Sequence, residues 1–147
     1  MKPLYIFDLD GTLANCEHRK HHLDAKDWRA FYAACDQDAP IIPVIHTLIT
    51  LWRDNDVWIF SGRSDEVRGK TMHWLGEHVG IYLDEHSVVM RREGDHRPDD
   101  VLKQEFLDRM LDEDRNRLVA CFDDRDRVVA MWRKNGIACF QVAPGEF

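Results

Sequence analysis

The strongest constraint on the fold is an alternation of two hydrophobic patterns. Leu4-Tyr5-Ile6-Phe7, Val57-Trp58-Ile59-Phe60, Val88-Val89-Met90, Leu118 to Phe122 and Ile137 to Phe140 are short, continuous apolar runs rich in β-formers. Between them, apolar residues recur at helical spacing. One stripe, after Pro40 and Pro43, carries Val44, Ile45, Leu48, Ile49, Leu51 and Trp52, and a second carries Val67, Thr71, Trp74, Leu75 and Val79. A third helix is expected from about Asp99 to Glu113, and a fourth, with Val128, Val129, Met131 and Trp132, stops near a C′ glycine, Gly136. Strands that are apolar on both faces, each followed by a helix, predict a parallel sheet covered by helices on both sides. The fold class is therefore α/β with three layers. At 147 residues the chain is expected to form one domain spanning 1–147, burying about two-thirds of its unfolded surface.

One connection is too long for a plain crossover. Residues 12–24 are polar and histidine-rich and read as a loop or flap, while Trp28, Phe31, Tyr32 and Cys35 predict a helix from about Ala25 to Cys35. Residues 14–42 are accordingly expected to form a flap and small cap.

The formal charge of −7 disfavours extended nucleic-acid binding, which needs a basic surface to release counterions, but leaves room for a local grip on one phosphate. No apolar run of about 18 residues is present, so no membrane span is expected. Met1-Lys2-Pro3 leads into a short apolar run without a cleavage site, which points to the cytoplasm. Cys121 and Cys139 sit in apolar runs and are expected in the core, with disulfides disfavoured in that compartment.

Ligands of open parallel sheets bind beyond the carboxyl ends of the strands. Strand one ends in Asp8-Leu9-Asp10-Gly11-Thr12, strand two in Ser61-Gly62-Arg63 and strand four in Asp123-Asp124, and Lys103 lies on the helix before strand four. Carboxylates crowded on one sheet edge repel one another, so a structural role alone gives little reason for them. Phosphate-monoester hydrolysis does require such a set. Asp8 can attack phosphorus, splitting the reaction into two easier steps, and Asp10 can protonate the leaving oxygen and then deprotonate water. Mg²⁺ prefers oxygen ligands, and Asp8 with one of Asp123 and Asp124 can supply them. Gly11 permits a sharp turn that points backbone N–H groups at phosphate oxygens, with Ser61, Arg63 and Lys103 as further phosphate binders.

D-x-D-G-T after an apolar strand, a serine after strand two, a later lysine and a terminal D-D resemble, in that order, the four motifs of the haloacid dehalogenase (HAD) superfamily of phosphatases. Ser61-Gly62-Arg63, Arg91-Arg92-Glu93-Gly94-Asp95, Asp99 to Lys103, Asp123-Asp124-Arg125 with Val128 to Arg133, and the closing Gln141 to Phe147 are similar to the 3′-phosphatase domains of phage polynucleotide kinase-phosphatases. The resemblance implies a Rossmannoid sheet in the order 5-4-1-2-3. It also implies a magnesium-dependent phosphomonoesterase working through an aspartyl-phosphate on the 3′-phosphate of nucleotide or polynucleotide ends, and a possible separate kinase partner. By resemblance Asp8 is the nucleophile and Asp10 the acid–base, whose main-chain carbonyl also meets Mg²⁺, and Asp124 is the likelier direct metal ligand, supported by Asp123. Gly11, Thr12, Arg19, Ser61, Gly62, Arg63 and Lys103 become phosphate binders, with Asp99 as the carboxylate partner of Lys103.

Plainer readings compete at each position. Ser-Gly is a common turn signal, Asp99 after Pro98 can be a helix N-cap, and Arg19 can be a surface charge. His18, His21 and His22 lack partner cysteines and are not read as a zinc site. Trp52, Trp74 and Trp132 lie on helical stripes and are expected in the core, whereas Trp28, Phe31 or Tyr32 can stack on a base if their helix caps the site. Gly69-Lys70-Thr71 lies inside a helical stripe and is not a P-loop, so no nucleoside-triphosphate site is expected. The rival functions are a 5′-nucleotidase or general small-metabolite phosphatase, and a non-catalytic phosphate-binding partner of a kinase.

Overall fold

The structure is a computed structural model describing all 147 residues, Met1–Phe147. In chain order its elements are β1 (Leu4–Phe7), β2 (Ala14–Asn15), α1 (His21–Asp24), α2 (Trp28–Ala33), β3 (Ala39–Pro40), α3 (Ile42–Trp52), β4 (Asp56–Ser64), α4 (Arg68–His78), β5 (Val88–Arg91), α5 (Asp99–Asp108), α6 (Asp112–Arg117), β6 (Leu118–Asp123), α7 (Asp126–Lys134) and β7 (Ala138–Gln141). Five strands form one parallel sheet in the order β7-β6-β1-β4-β5, the arrangement expected from the sequence. β1 is central, so its carboxyl end is flanked on both sides by other strands.

Alternation along the strands divides the core between the two faces. Leu4 and Ile6 pack with Phe60, Leu107, Val128 and Trp132 on the α5–α7 side, while Phe7, Val57 and Ile59 pack with Leu48, Trp74 and Leu75 on the α3–α4 side. Leu4 and Ile6 are at most 1% exposed, and each such side chain contributes about 1.5–3 kcal/mol by leaving water. Cys121 and Cys139 are buried free thiols, as are Cys16 and Cys35. Trp74 and Trp132 are in the core, but Trp52, at the last position of α3, is 38% exposed and corrects that expectation. No helix is long and apolar enough to cross a membrane.

Local chemistry moves several boundaries. The helix expected from Ala25 begins only at Trp28, because Lys26 takes φ +54° and the Asp27 carboxylate caps α2 by accepting from the Ala30 N–H. A separate short turn, α1, precedes it. The helix expected to reach Glu113 ends at Asp108, and α6 starts anew at Asp112. Ser61-Gly62-Arg63, read as a break, lies inside β4. Pairing with β5 skips from Ser61↔Met90 to Ser64↔Arg91, so two extra residues bulge out of the strand. Such bulges re-aim side chains beside functional sites. The insert between β1 and α3 is closed at its base by the antiparallel β2–β3 pair, Ala14↔Pro40 and Asn15↔Ala39.

Candidate active site

β1 delivers Asp8 to the middle of the sheet's carboxyl edge, where its N–H donates to the Phe122 carbonyl of β6 at 2.9 Å. β6 ends one residue later, so Asp123 and Asp124 arrive beside it. One carboxylate oxygen from each of Asp8, Asp123 and Asp124 lies within 4.8 Å of the others, and all three residues are buried. From α5, the Lys103 ammonium reaches between them, donating to Asp8 Oδ1 at 2.7 Å and Asp123 Oδ2 at 2.8 Å. Asp8 Oδ2 accepts from the Thr12 hydroxyl at 3.0 Å.

Burial first, then Asp123 and Asp124, push the Asp8 carboxyl well above the usual carboxylate range against the pull of Lys103. Burial and Asp123 raise Asp124 in the same direction. Burial works against the Lys103 ammonium, but Asp123 and Asp8 outweigh it and keep it charged. Three buried carboxylates against one ammonium leave a net negative, all-oxygen pocket. That is the donor chemistry and the charge deficit that a hard divalent cation such as Mg²⁺ fits.

Gly11 makes the turn that brings these groups together. Its φ is +81°, and a Cβ there would meet Asp124 Oδ2 at 2.1 Å, so any larger residue displaces the carboxylate. Within the turn, Gly11 N–H donates to the Ala14 carbonyl and Thr12 N–H to that of Leu9.

The second carboxylate of the D-x-D motif is held differently. Asp10 Oδ1 accepts from Arg19 Nη2 at 2.7 Å, Arg63 Nε at 2.9 Å and Arg63 Nη2 at 2.8 Å. Behind Asp10, the wholly buried Asp38 carboxylate accepts from Arg19 Nε and Nη2, from Arg63 Nη2, and pairs with His18 Nε2 at 2.7 Å. Two guanidiniums and two carboxylates thus form a charge-balanced cluster in which only Asp10 reaches the cavity. Burial alone would raise the Asp10 carboxyl, yet Arg63 and Arg19 outweigh it and hold it below the ordinary range.

A cavity of about 470 Å³ opens above this edge. Asp8, Asp10, Gly62, Asp99, Asp123 and Asp124 line it, whereas Gly11, Thr12, Arg19, Ser61, Arg63 and Lys103 do not. The arginines expected to grip phosphate are fully buried, with their donors taken by Asp10 and Asp38, the Phe31 carbonyl and the Thr71 hydroxyl, because each guanidinium costs least where carboxylates pair with it. Ser61 is buried too, its Oγ accepting from the Arg63 N–H. Asp99 is the first residue of α5 and not its cap. It pairs with Arg91 at 2.5 Å and Arg125 at 3.3 Å, and no hydrogen bond joins it to Lys103. A Cβ on Gly62 would strike the Asp99 carboxylate at 2.6 Å, so a glycine lets the bulge lie against it.

Two residues of this edge receive no role from the sequence, although Arg91 stands in one of the segments that carry the resemblance. Asp38 lies in the irregular end of the insert, with no motif around it. Arg91 ends β5 and ties the bulge to the next loop, donating to the carbonyls of Gly62, Asp95 and Arg97. Its place at a strand's carboxyl end was the available signal.

The family model of the polynucleotide kinase PNKP phosphatase domain matches residues 2–147. Among solved structures, a chain of the "Pnkp1/Rnl/Hen1 RNA repair complex" is similar at 31% identity and a TM-score of 0.83, over 99% of this chain and 44% of that one. A chain from a second Pnkp1/Rnl/Hen1 complex shares 32% identity with a TM-score of 0.81, over 99% and 48%. This chain therefore spans less than half the length of those it matches. The class C acid phosphatase from Bacillus anthracis, at 13% identity and a TM-score of 0.61 over 99% of this chain and 67% of that one, shares the fold.

Proposed function

Since this chain belongs to the family of polynucleotide kinase PNKP phosphatase domains and is thus a HAD-type phosphatase, we propose that it removes the 3′-phosphate from nucleotide or polynucleotide ends, using Mg²⁺ and an aspartyl-phosphate on Asp8. The observation that carries the reading is the buried meeting of Asp8, Asp123, Asp124 and Lys103 at the floor of a cavity. A cation there would be held by Asp8, Asp124 and the main-chain carbonyl of Asp10. When bound, Mg²⁺ supplies charge neutralisation for the approaching phosphate and the ionised nucleophile.

The chain's own groups carry the rest. Lys103 and Thr12 fix the two oxygens of Asp8, so the carboxylate presents a set orientation. An Asp8 oxygen bonds to phosphorus as the phosphorus–ester oxygen bond breaks, and the protonated form of Asp10, the minor form at neutral pH given its depressed pKa, gives the departing oxygen its proton. Water then attacks phosphorus, Asp10 takes a proton from it, and the bond from phosphorus to Asp8 breaks. Asp10 Oδ1 takes three N–H donors, which assigns the proton to Oδ2. In this reading Arg19 and Arg63 orient Asp10 instead of binding phosphate, and residues 14–42 serve as flap and cap within a single domain. Partnership with a separate kinase remains part of the proposal. The Pnkp1 relatives are seen in complexes with Rnl and Hen1, which supports work among partner proteins.

Chelation tests the metal. In EDTA, hydrolysis is expected to fall by about a hundredfold or more and to return on adding Mg²⁺. Mg²⁺ should also raise the melting temperature of the wild type through binding to the folded state, and not that of Asp124→Ala. Full activity in chelator refutes the assignment. Rates on a 3′-phosphorylated oligonucleotide, a 3′-mononucleotide and a 5′-mononucleotide test the substrate. The 3′-phosphates are expected to lead in kcat/KM by about tenfold or more, and equal rates on the 5′-mononucleotide would favour a general nucleotidase.

A further inference from the structure

The cavity has one wall that the chemistry above does not use. Trp28, on α2, lines the same space as Asp8 and Asp10, yet 46% of it is exposed. A tryptophan so placed leaves a large apolar face in water, while its neighbours Phe31 and Tyr32 are buried at 8%. Those two rings brace it, with centroids 6.3 Å and 6.2 Å away. Beside it in the cavity lining stands His96, an exposed ring on the loop before α5, with its centroid 6.5 Å from that of Trp28 and its plane tilted by 44°. That separation is close to the roughly 7 Å that one planar base needs between two rings, twice the ~3.4 Å stacking rise of nucleic acid. The exposed imidazole can turn to lie flat on an entering ring, whereas Trp28 is held in place from behind. The cavity's other exposed aromatic, Phe147, is already taken: Lys20 Nζ lies 4.7 Å and Arg125 Cζ 4.6 Å from its centroid.

We propose that Trp28, with His96 beside it, forms the stacking site for the base of the nucleotide that carries the scissile phosphate. This rests on the phosphatase reading above and deepens it, since it makes the terminal nucleoside part of what the cavity recognises. Stacking accepts any base because every base has a π face, so the site selects for the presence of a base over its identity. The residue acts on binding and not on the chemical step: Asp8 and Asp10 are held by Lys103, Thr12, Arg19 and Arg63, none of which is bonded to Trp28.

The test compares Trp28→Ala and Trp28→Phe with the wild type on three substrates: a 3′-phosphorylated oligonucleotide, a 3′-mononucleotide, and an oligonucleotide whose 3′-phosphate sits on an abasic sugar. Trp28→Ala is expected to raise KM for the two substrates with a terminal base by about 5- to 150-fold, with kcat changed less than about twofold and little effect on the abasic end. Trp28→Phe should recover most of the loss. If only the oligonucleotide is affected, the occupant is a more distant base and the assignment to the terminal nucleoside is overturned. Equal loss on all three substrates, or none on any, also overturns it. Fluorescence anisotropy of the labelled 3′-phosphorylated oligonucleotide bound to Asp8→Asn, with and without Trp28→Ala, gives the same comparison at equilibrium. A wild type that hydrolyses none of the three defeats the functional reading itself, whereas a wild type that hydrolyses them with Trp28→Ala unchanged defeats only the stacking site.

Discussion

Asp8→Asn is expected to lower turnover by at least about a thousandfold while leaving the fold as stable as the wild type or more so. The amide keeps the size and shape of the carboxylate and can still accept from Lys103 or Thr12, which donate to the two Asp8 oxygens at 2.7 Å and 3.0 Å. It lacks the anionic oxygen that must bond to phosphorus. Stability changes in the direction opposite to that of a substitution that breaks a favourable ion pair. Asp8 is raised well above the ordinary range by burial and by Asp123 and Asp124, so in the metal-free protein its ionised form opposes folding. A group with a raised native value costs stability as pH climbs above the unfolded carboxylate's pKa, and asparagine removes that cost. The paired measurement is a melting curve in EDTA near pH 8 beside a steady-state assay with Mg²⁺. Acid quench with substrate labelled in the phosphate should place label on the wild-type chain and none on Asp8→Asn. Magnesium-dependent turnover by the variant within tenfold of wild type would defeat the covalent route.

What made Asp8 legible was local. Leu4 to Phe7 is apolar at every position, so the run reads as a central strand, and the first carboxylate after it must stand at the sheet's ligand-binding edge. The same logic placed Asp123 and Asp124 at the end of β6, and the 4.8 Å grouping follows from β1 and β6 being hydrogen-bonded neighbours. Ser61-Gly62-Arg63 shows where local reading fails. Ser-Gly signals a turn on its own, but here pairing with β5 carries the strand through it, and the two surplus residues become a bulge that aims Arg63 at Asp10. Arginine near a phosphatase site is read from sequence as a phosphate grip. Whether its fork meets phosphate or a carboxylate depends on a residue far along the chain. Arg19 and Arg63 lie 19 and 25 positions from Asp38, and no periodicity links them. The insert was visible as an overlong crossover, yet its internal breaks depend on single residues such as Asp27 and Lys26, whose conformations override helical spacing.

Asp38→Asn should be the most damaging change outside the cavity, with a loss of about 3–5 kcal/mol and a melting temperature lower by about 10 °C. In the wild type, Asp10 and Asp38 balance Arg19 and Arg63, and Asp38 shows no side-chain exposure. Asparagine leaves the cluster with one excess buried cation. It also turns an amide N–H toward donors that now meet Asp38 Oδ1 and Oδ2 at 2.7–2.9 Å, setting donor against donor. With one anchor gone, both guanidiniums shift toward Asp10, and the acid–base carboxylate moves with them. Displacements of that order cost about a hundredfold in rate, so kcat is expected to drop even well below the melting point. The Asp10 ion pairs behave normally in pH: its native value is depressed, so their contribution is complete above the unfolded carboxylate's pKa and fades as pH falls through the lower native one. Adding Arg19→Gln to Asp38→Asn restores a neutral cluster, and at least half of the lost melting temperature should return without recovery of kcat. A single variant that melts within about 2 °C of the wild type and keeps its kcat would show that Asp38 neither balances the arginines nor positions Asp10.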